Sequence, residues 1–173
     1  MSGQDQIVGQ HTAGPLSRKR CWDDIVWLRQ HWHGPVIIKG ILTPADAEIA
    51  AREGLDGIVV SNHGGRQLEG APSAVEILPA IVAAAGRMHV FVDGGVRRGA
   101  DIAKALAMGA RGVLVGRAPL YGLAARGPRG VAEVLAILRG EFETTLRLLG
   151  IPQAARLDPA ALSDDHAARL AAL

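Results

Sequence analysis

From Trp22 onward the chain alternates short apolar runs with alanine-rich stretches of mixed polarity. The runs are Val36-Ile37-Ile38, Ile58-Val59-Val60, Val90-Phe91-Val92 and Val113-Leu114-Val115. None alternates polar with apolar positions, so each reads as a strand buried on both faces of a parallel sheet. The stretches between them carry helix punctuation. Thr43-Pro44 supplies an N-cap and then proline at the first helical position, and Gly54 ends that helix. Ser73 followed by Glu76 spells a capping box. Pro79 predicts a kink in this helix or the end of its first turn. Gly109 stops the next helix. Val131, Val134, Leu135, Leu138, Phe142, Leu146 and Leu149 mark one face of a last long helix that ends at Gly150.

A longer period runs through this rhythm. The pattern from Ala45-Asp46 through Gly54, Gly57 and Val60 recurs from Ala100-Asp101 through Gly109, Gly112 and Val115, a constant offset of 55 residues. That offset spans two β–α units, so the chain repeats a helix–strand module. Repeated parallel β–α units build either a doubly wound sheet or a barrel. A full (β/α)8 barrel takes about 250 residues, and this chain has 173 with four visible strands. An α/β barrel reading therefore makes the chain half of one. Residues 1–20 are rich in Gly, Gln and Ser and end in Arg18-Lys19-Arg20. They read as a poorly ordered polar lead-in to a domain over residues 21–173.

Composition narrows the functional classes. Aromatic residues are only 3% of a chain that is 49% apolar, so the core must be aliphatic. With 19 basic and 17 acidic residues the net charge is +2, which leaves no electrostatic footprint for nucleic acid. No apolar run is long enough to span a bilayer. The single cysteine, Cys21, allows no internal disulfide and fits a reducing compartment, and residues 1–20 lack the apolar core of a signal peptide. The expected location is cytoplasmic. Zinc, P-loop and GxGxxG patterns are absent from the sequence.

The candidate chemistry sits where the strands end, the edge at which parallel β–α folds gather their function. The four ends read Lys39-Gly40, Ser61-Asn62-His63, Asp93-Gly94-Gly95 and Gly116-Arg117. After the second strand comes Ser61-Asn62-His63-Gly64-Gly65-Arg66-Gln67. His63 can exchange a proton near neutral pH, Arg66 can grip a carboxylate with two bonds, and the glycines permit the turn that aims both. Lys39 fits a surface lysine and an anion partner equally well. Asp93 to Gly99 is a glycine-rich loop leading into a helix, and Gly116-Arg117 adds a second arginine clamp. Together they suit a phosphate held on backbone amides and arginines, or else tight turns with capping roles. Trp22, Trp27 and Trp32 read as packing residues of a first helix; His31 and His33 are poorly spaced for a metal, and His11, His89 and His166 are expected to be inert.

These motifs resemble those of the FMN-dependent 2-hydroxy-acid dehydrogenases and oxidases. The likeness rests on Trp22-Asp23-Asp24-Ile25, Ile37-Ile38-Lys39-Gly40-Ile41, the Ser61–Gln67 string, Asp93-Gly94-Gly95-Val96-Arg97 and Gly116-Arg117-Ala118-Pro119-Leu120-Tyr121-Gly122, within residues 22–162. The Ser61–Gln67 string is its most specific element. The resemblance implies the C-terminal half of a (β/α)8 barrel, FMN as cofactor, and oxidation of an (S)-2-hydroxy acid to the 2-oxo acid. It implies His63 as active-site base, Arg66 as the carboxylate ligand, Lys39 and Ser61 beside the flavin, and Asp93, Gly94, Gly95, Arg97, Gly116 and Arg117 at the ribityl phosphate. It also implies that the family's first four strands, with further flavin and substrate contacts, lie outside this chain. A different class stays open: a non-enzymatic half-barrel that binds FMN or phosphate only, or that needs a second half-barrel or self-association.

Overall fold

The structure is a computed structural model and describes residues 21–162; the lead-in of residues 1–20 and His166 lie outside the described residues. The chain divides into two compact units, Met1–Gly34 and Pro35–Leu173. The first contains helix α1, Trp22–His31, with Asp23 and Asp24 in its first turn, where acidic groups complement the positive end of the helix dipole. The Asp24 carboxylate accepts from the Cys21 amide at 2.9 Å. The tryptophans do not pack as the sequence predicted: no residue of α1 is buried, and Trp27 and Trp32 are 59% and 54% exposed. Trp27 instead stacks on His31 with ring centroids 4.2 Å apart, because positions four apart are neighbours on a helix surface.

The second unit runs β1 (Ile37–Ile41), α2 (Pro44–Arg52), β2 (Gly57–Val60), α3 (Ala74–Ala84), β3 (His89–Asp93), α4 (Gly99–Ala107), β4 (Gly112–Leu114) and α5 (Arg117–Leu148). The strands form one parallel sheet in chain order, β1-β2-β3-β4. A doubly wound sheet would reverse its order at a switch point. This one does not, so of the two architectures the sequence allowed it has the winding of a barrel, with four of its eight β–α units.

Register assigns the faces. Ile38, Ile58 and Val90 lie in line, as do Val60, Val92 and Val113. Ile58 and Val60 are fully buried, as are Leu78 and Ile81 of α3. The opposite face carries Ile37, Val59, Phe91 and Leu114, and there Ile37 and Leu114 are 50% and 40% exposed. Among the described residues no helix is long and apolar enough to cross a membrane.

The repeat is visible in the backbone. Helices α2 and α4 begin at Pro44 and Gly99 and end at Arg52 and Ala107, keeping the same offset. Gly54 and Gly109 both take the left-handed conformation, with φ 70° and 97°. The Leu55 and Ala110 amides both reach five residues back, to Ala50 and Ala105, at 3.1 Å. At the start of α2 the Thr43 hydroxyl accepts from the Asp46 amide, and at the start of α3 the Glu76 carboxylate accepts from the Ser73 amide. Pro79, predicted to kink or end a turn, lies inside an unbroken α3. The bond it cannot donate falls on the carbonyl of Val75, an exposed residue, where water can serve.

Helix α5 is two segments. Arg126 and Gly127 break it, Gly127 at φ 61°, and Pro128 opens the second segment. Gly122 and Gly130 are buried and face each other, so a Cβ on either would run into the other's carbonyl. Leu138 and Leu146 are buried as predicted, whereas Leu135 and Leu149 are 45% and 41% exposed. Gly99, at the start of α4, packs on the backbone of Glu141 and Phe142, past Leu135 on this segment, and Leu149 is already the C-cap. We expect Gly122→Ala or Gly130→Ala to cost about 1–3 kcal/mol by forcing backbone apart. Gly140→Ala, whose Cβ meets nothing within 4 Å, should stabilise by up to about 1 kcal/mol through helix propensity. Urea unfolding of the three variants checks both signs.

Candidate active site

The C-terminal ends of the four strands open on one cleft of about 320 Å³. β1 contributes Lys39, the loop after β2 His63 and Arg66, the loop after β3 Asp93, Gly94, Gly95 and Arg97, and the end of β4 Gly116 and Arg117. Thus all the candidate residues line it except Ser61, which is fully buried.

The wall nearest β1 is built on a bulge. The β1–β2 register slips between Lys39 and Ile41, with Gly40 at φ 102°. Such bulges re-aim side chains beside functional sites. The His63 ring lies against this glycine: a Cβ there would stand 2.9 Å from His63 Cε1. His63 itself is held at φ 57°, a backbone that L-residues seldom adopt and that costs on the order of 1–3 kcal/mol. Two side chains offset it. Ser61 Oγ accepts from the His63 amide at 3.0 Å, and Asn62 Oδ1 accepts from the Gly65 amide at 3.2 Å while Asn62 Nδ2 donates to the Pro72 carbonyl. Ser61 Oγ also accepts from the Lys39 ammonium at 2.9 Å, and Lys39 pairs with Asp93 Oδ2 at 3.0 Å. A polar chain therefore runs from Asp93 through Lys39 and Ser61 to the backbone of His63.

The anion cradle is narrower than the sequence suggested. The amides of Arg97 and Arg98 both donate to the Asp101 carboxylate at 2.9 Å, and the Gly99 amide donates to Glu141 at 2.8 Å. These three amides at the start of α4 are already engaged. What remains on the cleft is Gly94-Gly95, Gly116-Arg117 at the start of α5, and two guanidinium groups, Arg97 over the Tyr121 ring at 5.9 Å and Arg117 near Gly64. Glu141 also pairs with Arg98 at 3.1 Å. Its carboxyl is held below the usual carboxylate range, chiefly by the Gly99 amide and then by Arg98. Sequence reasoning placed Gly40, Asn62, Asp101 and Tyr121 in its motifs without giving them a role of their own, and did not name Glu141. Asn62 is a preferred N-cap residue type and caps the turn His63–Gly65, and Asp101 stands where a capping box needs it; Glu141 had no local signal.

A family model for FMN-dependent dehydrogenases matches residues 2–164. The chain belongs to the FMN-dependent dehydrogenase family. The match begins 20 residues before Trp22, where the motif likeness starts, so it includes the polar lead-in. The chain is 47% identical over 149 residues to mouse (Mus musculus) 2-hydroxyacid oxidase 1, covering 86% of this chain and 40% of that one. It is 49% identical over 144 residues to an L-lactate dehydrogenase of Caulobacter vibrioides, covering 83% and 38%. A crystal structure of a mutant active chimera of (S)-mandelate dehydrogenase superposes with a TM-score of 0.82 at 45% identity, covering 90% of this chain and 45% of that one. The chain thus spans less than half the length of these relatives, and its fold is the C-terminal half of their (β/α)8 barrel.

The residues present fit the family's FMN. Asp93 Oδ1 is buried with no hydrogen-bond partner among the described residues, although Asp93 lines the cleft. Burying an unsatisfied oxygen costs about 1–3 kcal/mol, a deficit that a polyol hydroxyl would remove. The arginines and glycines beside it suit the phosphate. As a test of the bulge, we expect Gly40→Ala to displace the His63 ring and strain φ 102°, lowering stability by about 1–3 kcal/mol. A shift of the His63 Cε1–H NMR signal, larger than that of His89, checks the displacement.

Proposed function

We propose that this chain supplies the C-terminal half of an FMN-dependent enzyme that oxidises an (S)-2-hydroxy acid, of the lactate, glycolate or mandelate class, to the 2-oxo acid. The observation that carries the reading is the meeting of His63, Arg66, Lys39 and an arginine-lined cradle on one cleft, in a chain of this family. Oxidation takes two electrons and two hydrogens from the substrate. His63 accepts one of these as a proton. FMN, when bound, takes the electrons and the other hydrogen. Arg66 grips the substrate carboxylate through two parallel bonds and so orients the hydroxyl-bearing carbon. Lys39, held by Asp93 and Ser61, would set a positive charge beside the flavin's pyrimidine edge, and Ser61, buried behind the cleft, would act on the flavin through the Lys39 ammonium it binds. Asp93, which the resemblance put at the phosphate, would instead serve the ribityl hydroxyls through its unpartnered Oδ1, and Gly94, Gly95, Arg97, Gly116 and Arg117 would hold the phosphate.

On this reading residues 21–173 are a partial FMN hydroxy-acid dehydrogenase domain, and residues 1–20 lead into it. The half-exposed Ile37 and Leu114, with β1 and β4 each paired on one side among the described residues, call for a complementary half-barrel or a second copy. The free, exposed Cys21 suits a reducing, cytoplasmic setting.

The test is flavin binding and turnover of L-lactate, glycolate and mandelate by the chain, alone and with a complementary N-terminal half. With that half present, His63→Ala should abolish turnover and leave FMN bound. Arg66→Ala should raise KM and also lower kcat, since orientation is lost with the bidentate grip. Arg97→Ala and Arg117→Ala should each weaken FMN. Wild-type kinetics in the His63 and Arg66 variants would overturn the assignment. A monodisperse monomer turning over alone at about 10 per second, an ordinary enzyme rate, would remove the need for a partner.

A further inference from the structure

We infer that Glu141, on the second segment of α5, is a positioning residue for the phosphate cradle. It fixes the end of the loop after β3 and sorts the two adjacent arginines of that loop, Arg98 outward and Arg97 toward the cleft. The inference rests on the functional reading above.

Both carboxylate oxygens of Glu141 are engaged across a separation of more than 40 residues. Oε2 accepts from the Gly99 amide at 2.8 Å, and Oε1 accepts from the Arg98 guanidinium at 3.1 Å. The loop end is also pressed on α5 directly. Gly99 is buried, and any Cβ there would collide with the backbone of Glu141 and Phe142. From the other side Asp101 holds the Arg97 and Arg98 amides, so Arg98 is bound through both backbone and side chain. Arg98 does not line the cleft, whereas Arg97 does and lies over Tyr121 of the first α5 segment. Two neighbouring arginines would otherwise compete for one anion. Glu141 removes one of them and leaves the other aimed.

The second wall of the cradle starts on the same helix. Arg117 opens α5, and the Gly122–Gly130 contact locks the segment it opens against the segment that carries Glu141. One bent helix therefore spans both walls, and Glu141 is the point at which it grips the far one. An ionised carboxyl is needed for the pairing with Arg98, and the hydrogen bond from Gly99 favours that form.

The experiment is equilibrium binding of FMN and of riboflavin, which lacks the phosphate, followed by flavin fluorescence on the full chain. Circular dichroism reports folding. Glu141→Ala should weaken FMN about tenfold, the effect of losing one hydrogen bond to a charged group, and leave riboflavin unchanged. Glu141→Gln keeps an acceptor for the Gly99 amide and should restore part of the loss. Arg98→Gln removes only the side-chain arm, should give a smaller loss of FMN alone, and serves if Glu141→Ala fails to fold. Equal weakening of FMN and riboflavin, or unchanged FMN affinity in folded Glu141→Gln and Arg98→Gln, would overturn the inference while the functional reading stands. Wild-type protein that binds neither flavin, both alone and with the complementary N-terminal half, would overturn both.

Discussion

Parallel pairing in chain order obliges every strand to end at the same edge of the sheet, and the rest of the molecule follows from that obligation. Each return to the opposite edge needs a helix, and the helices bury the face that carries Ile58, Val60 and Val92. The loops that leave the strand ends have no such packing duty. Lys39, His63, Asp93 and Arg117, distant in sequence, become neighbours because the register leaves them no other place. The cleft is a product of strand direction before it is a product of any one side chain.

Within the cleft, electrostatics acts through geometry more than through energy. The Lys39–Asp93 pair is partly exposed, at 40% and 19% of the side chains, and pairs of that kind contribute little stability. Its effect is positional, since it steadies the ammonium that Ser61 also binds, and Ser61 in turn steadies the strained turn at His63. A strained backbone persists only where its surroundings over-determine it, and this polar chain supplies the surroundings.

Most of this was legible in the sequence. The four apolar runs reappear as strands, although only β2 is buried on both faces; the Thr43 and Ser73 starts, the Gly54 and Gly109 stops and the 55-residue repeat reappear as well, because each is a local rule of backbone and capping that tertiary context reinforces. The strand-end motifs also marked the cleft, since a residue's place after a strand fixes its edge. Burial along α5 was less legible: the 3.6-residue pattern told which face is apolar but not how far the covering helix reaches, so Leu135 was misplaced. The tryptophans failed for a similar reason, as size predicts burial only where a partner surface exists. The Gly40 bulge and the Glu141 grip were not legible, because the first is a slip between two strands and the second joins residues more than 40 positions apart. The engaged amides before α4 belong with them: a glycine-rich loop announces donors, and only the fold says which acceptor claims them.

The doubled module has an implication for how one rim comes to hold two chemistries. Equivalent positions in the two copies leave the sheet at Ser61-Asn62-His63 and at Gly116-Arg117-Ala118. The first set carries a hydroxyl, an amide and an imidazole; the second carries a bare backbone and one permanent cation. With the helix, the turn and the strand reproduced by the same local rules, the framework at each station is settled independently of what is mounted on it. On the proposed function, one station is free to specialise in moving protons and the other in anchoring an anion, at a separation that the repeat itself dictates.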